Sequence, residues 1–228
     1  MEGVLALYES TIGKKAVMAV TGVILVGFVI VHMLGNLKVF AGPEKFNAYA
    51  AFLREAGAPV FGHEQLLWIA RLVLLGSVGL HIAAAYQLTQ TSWAGRPVAY
   101  ARKEMTQATY AARTMRWGGV ILLLFVIYHL LHFTLGAVGY APGQFREMDV
   151  YGNVVKGFRV WYVSAFYVAA MVALGLHLSH GVWSMFQTLG LNGPTSDRLF
   201  RRLATVIAAG VVVGNISVPA AVLAGLVR

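Results

Sequence analysis

Residues 22–34 read GVILVGFVIVHML and residues 119–131 read GVILLLFVIYHLL, with nine of thirteen positions identical at a constant offset of 97. Apolar low complexity inflates such matches, so the shared glycine and histidine carry more weight than the aliphatics. Each segment lies inside an uncharged apolar run and places one histidine, His32 or His129, deep within it. A shorter echo relates Gly79, Leu80 and His81 to Gly175, Leu176 and His177 at an offset of 96. Together they describe two related helical hairpins followed by one extra helix. Repeated transmembrane units often build a site where they meet.

Composition places the whole chain in a membrane. Of its 228 residues, 58% are hydrophobic and only 12% charged, and the mean hydropathy is +0.69, well outside the range of soluble domains. Uncharged runs at 16–37, 72–95, 117–145, 160–196 and 203–227 each reach the roughly 20 residues that span hydrocarbon. The fourth run is too long for one span, so its helix is predicted to end near Gln187, with Gly190, Gly193 and Pro194 in the turn that follows. The expected fold is an all-α integral membrane protein, a single membrane domain over 1–228. Its five transmembrane helices fall at about 14–40, 66–92, 116–138, 160–188 and 202–226.

The net charge of +9 is placed as membrane topology requires, and nucleic acid is not an expected partner. Lys14 and Lys15 precede the first span, Arg96, Arg102, Lys103, Arg113 and Arg116 fill the link from second to third, and Arg198, Arg201 and Arg202 precede the fifth. On the opposite links, Lys38, Lys45, Arg54, Arg146, Lys156 and Arg159 are offset by Glu44, Glu55, Glu64, Glu147 and Asp149. This bias predicts a multi-pass protein of the cell membrane with a cytoplasmic N-terminus and an outside C-terminus. Residues 1–10 contain Glu2 and Glu9 and lack a basic n-region, so no removable signal peptide is expected. The chain has no cysteine, which excludes disulfides, iron–sulfur ligation and thiolate haem ligation by its own residues.

Helical rise converts sequence spacing into depth. His32 lies 17 residues beyond Lys15 and His129 lies 13 beyond Arg116, roughly 25 and 20 Å from the inner side. His81 and His177 lie 15 and 16 residues after Leu66 and Trp161, roughly 22 to 24 Å from the outer side. The histidines therefore sort into an outer pair, His32 with His129, and an inner pair, His81 with His177. A lone intramembrane histidine more often bonds a neighbouring helix than a metal. Four in two depth-matched pairs instead suit two bis-histidine haems stacked across the bilayer, held by a bundle of the first four helices with the fifth peripheral. Gly22, Gly27, Gly76, Gly79, Gly118, Gly119 and Gly175 would let helices or a flat macrocycle approach closely.

His132 and His180 follow His129 and His177 by three residues, sharing a helical face but sitting about 4.5 Å further along. Only one of each couple fits a given iron, and the repeat register selects His129 and His177. The others are expected to contact propionates, quinone or backbone carbonyls, and His63, beside Glu64, reads as interfacial. Residues 42–65, with Pro43 and an apolar pattern at Phe46, Tyr49, Ala50 and Leu53, read as a short amphipathic helix lying over the outer pair.

These residues resemble the dihaem cytochrome b membrane anchor, b558-type, of succinate:quinone oxidoreductases, the group that includes quinol:fumarate reductases. The resemblance covers almost the whole chain. It rests on one histidine in each of the first four spans, on His177, Leu178, Ser179, His180 and Gly181, and on Ser10 to Lys15, Thr21 and Gly22, residues 89–100 and residues 128–134. It implies axial ligation of two b haems by His32 with His129 and His81 with His177. It further implies a subunit of succinate dehydrogenase, respiratory complex II of the tricarboxylic acid cycle, that binds no succinate itself. As partners it implies a flavoprotein and an iron–sulfur subunit on the cytoplasmic face, membrane lipid, and quinone as substrate, menaquinone being usual for dihaem members. A higher oligomer of the complex is compatible with it.

Certain fumarate-reducing members carry a glutamate two residues before the ligand of the fourth span. Gly175 stands there in this chain, so no proton-return path of that kind is expected and succinate oxidation is the favoured direction. Glu64 is the candidate for an outer quinone site, although a helix-start acid facing water explains it equally well. Ser10, Lys14 and Arg116 are inner candidates for quinone or propionates, with the topology rule as the competing reason for the basic residues. Two other functions compete. A b-type anchor of another quinone-linked dehydrogenase or reductase often takes two ligands from one helix. A haem-free histidine-lined transporter normally carries intramembrane acids, and none is found in the five spans.

Overall fold

The computed structural model describes residues 8–95 and 110–228, without the side chains of 110–113. Arg96, Arg102 and Lys103, the side chain of Arg113 and part of the 89–100 stretch lie outside the described residues. Among the described residues, seven α-helices follow one another and no strand occurs. They are α1 (Thr11–Asn36), α2 (Pro43–Glu55), α3 (Gln65–Ala94), α4 (Tyr110–His129), α5 (Val150–Arg159), α6 (Trp161–Thr188) and α7 (Asp197–Leu223). A 3-10 turn, Leu37–Ala41, extends α1, and a π-helical turn, Leu130–Thr134, extends α4. Five of these, α1, α3, α4, α6 and α7, are long and apolar enough to cross a membrane. The protein is an all-α, multi-pass membrane protein.

Helix ends are set by local chemistry. The Ser10 side chain caps α1 by accepting from the Gly13 amide at 2.9 Å. The last span begins at Asp197, ahead of the expected 202, because Asp197 starts the helix with an acid near its positive end and ties it down. Its carboxylate accepts from Trp183 Nε1 at 2.9 Å, Asn192 Nδ2 at 2.8 Å and Arg201 Nε at 2.7 Å.

The spans pack as two hairpins joined through one helix of each. α3 lies along α1, α4 lies along α6, and α1 meets α6, while α7 covers the flank of α6 and α1. α1 makes no extended packing with α4, nor α3 with α6. Gly175 explains the close seat of α7, since a Cβ there would come within 2.5 Å of Val212 Cγ2. An acid side chain at that position would have to displace α7.

One end of the bundle is capped by α2 and α5. The expected helix over 42–65 is α2, shorter than that span and followed by a turn with a cis Ala58–Pro59 bond. Its Tyr49 ring packs on Gly35, where a Cβ would approach within 2.9 Å. α5 was not expected, because its ten residues lie in what reads as a charged link. It is pinned by Asn153, 3% exposed, which takes the Arg146 amide at 3.0 Å and gives to the Arg146 carbonyl at 2.6 Å. Asn47 joins the two cap helices, accepting from the Tyr151 amide at 2.9 Å. Val39, Phe46, Val155, Phe158 and Val227 continue this cap into the main apolar core between α4, α6 and α7.

Candidate functional site

The four histidines meet in two pairs. His32 on α1 faces His129 on α4, with ring centroids 5.8 Å apart and planes nearly perpendicular at 89°. His81 on α3 faces His177 on α6 at 6.3 Å and 58°. In each pair the two rings come from helices that do not pack along one another, so the side chains reach across a gap between the hairpins. Metal–imidazole bonds of about 2 Å on either side of one ion hold the ring centroids about 6 Å apart. The spacing of both pairs thus fits a single iron between each.

The surroundings supply a second test of fit. A Cβ on Gly27, Gly76, Gly79, Gly118 or Gly119 would meet nothing within 4 Å, so these glycines pack no helix of this chain. Gly22 is different: its Cβ would stand 3.8 Å from His81 Cε1. The bundle is open beside His177, where Gly118 lines a cleft between α4 and α6. Among the described residues no group of three or more His, Asp or Glu side chains gathers to hold a bare ion. A haem iron asks the protein for only two.

The pairs sit in unlike settings. His32 stacks on Phe28 at 5.2 Å, and His129 is flanked by Phe125, Phe133 and Tyr167 at 5.8 to 6.0 Å. This pair lies toward the capped end. The other pair has Thr21 Oγ1 at 3.1 Å from His81 Nδ1. A cleft of about 170 Å³ lies beside His177, lined by Met115, Trp117, Gly118 and Ile121 of α4 and by Ala173 and Leu176 of α6.

The neighbouring histidines lie in two different settings. Leu135 reaches back five residues to the Leu130 carbonyl at 3.0 Å, so His132 lies in a widened turn. His132 is fully buried against the cap, its Nδ1 at 3.0 Å from the Tyr167 hydroxyl. Its Nε2 is wedged between two backbones, where a Cβ on Gly139 or Gly157 would come within 2.7 Å. Nearby Tyr140 donates to the Asn153 carbonyl at 3.1 Å, and burial pushes its phenol above the ordinary tyrosine range. His180 instead meets Trp183 at 5.9 Å, over which Arg201 stacks at 3.7 Å.

The remaining candidates are held at the two ends. Glu64 pairs with Arg54 at 3.1 Å and His63 with Glu55 at 2.5 Å, so both close the link between α2 and α3. Ser10 is the α1 cap, Lys14 follows in the first turn of that helix, and Arg116 lies over the Trp93 ring at 5.2 Å, joining the ends of α4 and α3. Thr21 and Tyr167 were not singled out as partners of histidine by the sequence. A tyrosine inside an apolar span is a usable signal, because its hydroxyl needs a partner. Comparison with family models, curated proteins and solved structures finds no match.

Proposed function

We propose that this chain is a dihaem cytochrome b membrane anchor of a succinate:quinone oxidoreductase, passing electrons between an iron–sulfur subunit and membrane quinone. One observation carries the reading: two histidine pairs, each spaced for one metal ion, lie at successive depths in a five-span bundle. His32 with His129 and His81 with His177 would hold the two groups. When bound, two b haems supply one-electron relay sites across the membrane. The helices keep the ligands apart by backbone and together by side chain, and the cap over the His32 pair limits its access to water.

The basic residues at the uncapped end favour a cytoplasmic N-terminus, with the soluble partners on that side and the cap outside. Menaquinone is the proposed quinone class, succinate oxidation the proposed direction. Purified complex is expected to show low-spin b-type bands in a reduced-minus-oxidised spectrum, two haems per chain, and a copurifying flavoprotein and iron–sulfur subunit. A colourless protein would overturn the haem reading. Two haems without those partners would leave a cytochrome of another quinone-linked enzyme.

A further inference from the structure

A neutral imidazole carries one proton, so a bond at one ring nitrogen decides what the other can do. Two hydroxyls meet the proposed ligands at Nδ1. For His81 the direction is fixed by counting protons. Thr21 has a single hydroxyl proton, given to the Val17 carbonyl at 2.7 Å with the Met18 carbonyl at 3.2 Å sharing it. Only lone pairs remain for His81, whose Nδ1 lies 3.1 Å away. His81 Nδ1 therefore carries the proton, and Nε2 keeps its lone pair.

Tyr167 stands between two Nδ1 atoms, at 3.0 Å from His132 and 3.4 Å from His129. It too has one proton to give. Given to the nearer His132, it leaves the phenol oxygen to receive from His129 Nδ1. The opposite polarity would put the His129 proton on Nε2 and close that nitrogen to iron. Among the described residues the other two histidines show no such tether: His177 Nδ1 is buried without a partner, and His32 stacks on Phe28. The layout is crossed. α1 carries His32 for one pair and Thr21 for the other, 11 residues apart; α6 carries His177 and Tyr167, 10 apart.

We infer that Thr21 and Tyr167 are positioning residues, whose hydroxyls accept the Nδ1 protons of His81 and His129 and present each Nε2 to iron. The inference rests on the dihaem reading. A tethered imidazole is a stronger donor and favours the ferric state, so removing the tether raises the midpoint potential. The test is a spectroelectrochemical titration of the full chain, wild type against Thr21→Val, Thr21→Ser and Tyr167→Phe, with components assigned through His129→Ala and His177→Ala. Tyr167→Phe is expected to raise only the His32/His129 component. A tenfold loss of ferric preference would read as about 59 mV. Thr21→Val is expected to raise only the His81/His177 component, and Thr21→Ser to restore it. Loss of that one haem in Thr21→Val with recovery in Thr21→Ser supports the same assignment. Two bound haems with unmoved potentials, or a shift in the wrong component, overturn the inference alone. A wild-type chain without b-type bands overturns the dihaem reading and this inference with it.

Discussion

The two histidine pairs descend from one repeated pattern, yet the structure surrounds them differently. His32 and His129 are enclosed by Phe28, Phe125, Phe133 and Tyr167 and closed off by α2 and α5. His81 and His177 have a threonine and a glycine on one side and an open cleft on the other. The repeat supplies the histidines together with Phe28 and Phe125; Thr21, Tyr167 and the cap helices lie outside it. Water access and local polarity tune a metal site as strongly as its ligands do. The pairs are therefore expected to differ in potential despite their common register.

The largest effect that can break this comparison is loss of a ligand. His129→Ala and His177→Ala are each expected to remove one of two haems, whereas His132→Ala and His180→Ala retain both. Haem quantitation against protein reads the result directly. Retention of two haems in His129→Ala would overturn the assignment of His129 as a ligand.

The next effect separates the ends. Gly157→Ala places a Cβ within 2.7 Å of the buried His132 ring, between backbones that cannot yield as a flexible side chain would. Overpacking of this kind costs about 1–3 kcal/mol. It is expected to lower the thermal stability and to perturb the spectrum of the His32/His129 component alone. Asn153→Ala should follow at about 2 kcal/mol, because it strands the buried Arg146 amide and carbonyl that Asn153 satisfies. Hydrogen exchange is expected to rise over 144–158 and stay unchanged in α3. A uniform rise would mean that cap and bundle unfold as one unit.

How much of this was legible follows from what each feature depends on. The five spans depend on hydropathy summed along a continuous run, which a sequence displays directly. The pairing of His32 with His129 and of His81 with His177 depends on register, and the echo at offsets of 97 and 96 carries it. α5 depends on a face that exists only once Val155 and Phe158 meet Val39 and Phe46, so its sequence reads as a link. The burial of His132 against the cap follows one widened turn, which no spacing rule for an ideal helix anticipates. His132 and His129 still turn toward one group, since both Nδ1 atoms meet the Tyr167 hydroxyl. Thr21 and Tyr167 are ordinary span residues until a neighbouring helix brings a histidine against them.

The smallest expected effect is also the most discriminating for the open end. Gly118 lines the cleft beside His177, and a Cβ there would meet nothing within 4 Å. In the haem-free chain Gly118→Ala therefore touches no packing, and its stability is expected within about 0.5 kcal/mol of wild type. Gly175→Ala drives against Val212 and should cost about 1–3 kcal/mol by overpacking. If the gap at Gly118 is where a macrocycle lies, enlarging the residue must reveal it without altering the fold. Gly118→Phe should then lower occupancy of the His81/His177 haem while the His32/His129 haem stays in place. A helix glycine that merely faces lipid predicts full occupancy at both. Haem content of Gly118→Phe, read beside the thermal unfolding of Gly118→Ala, therefore tells a cofactor wall from a lipid face.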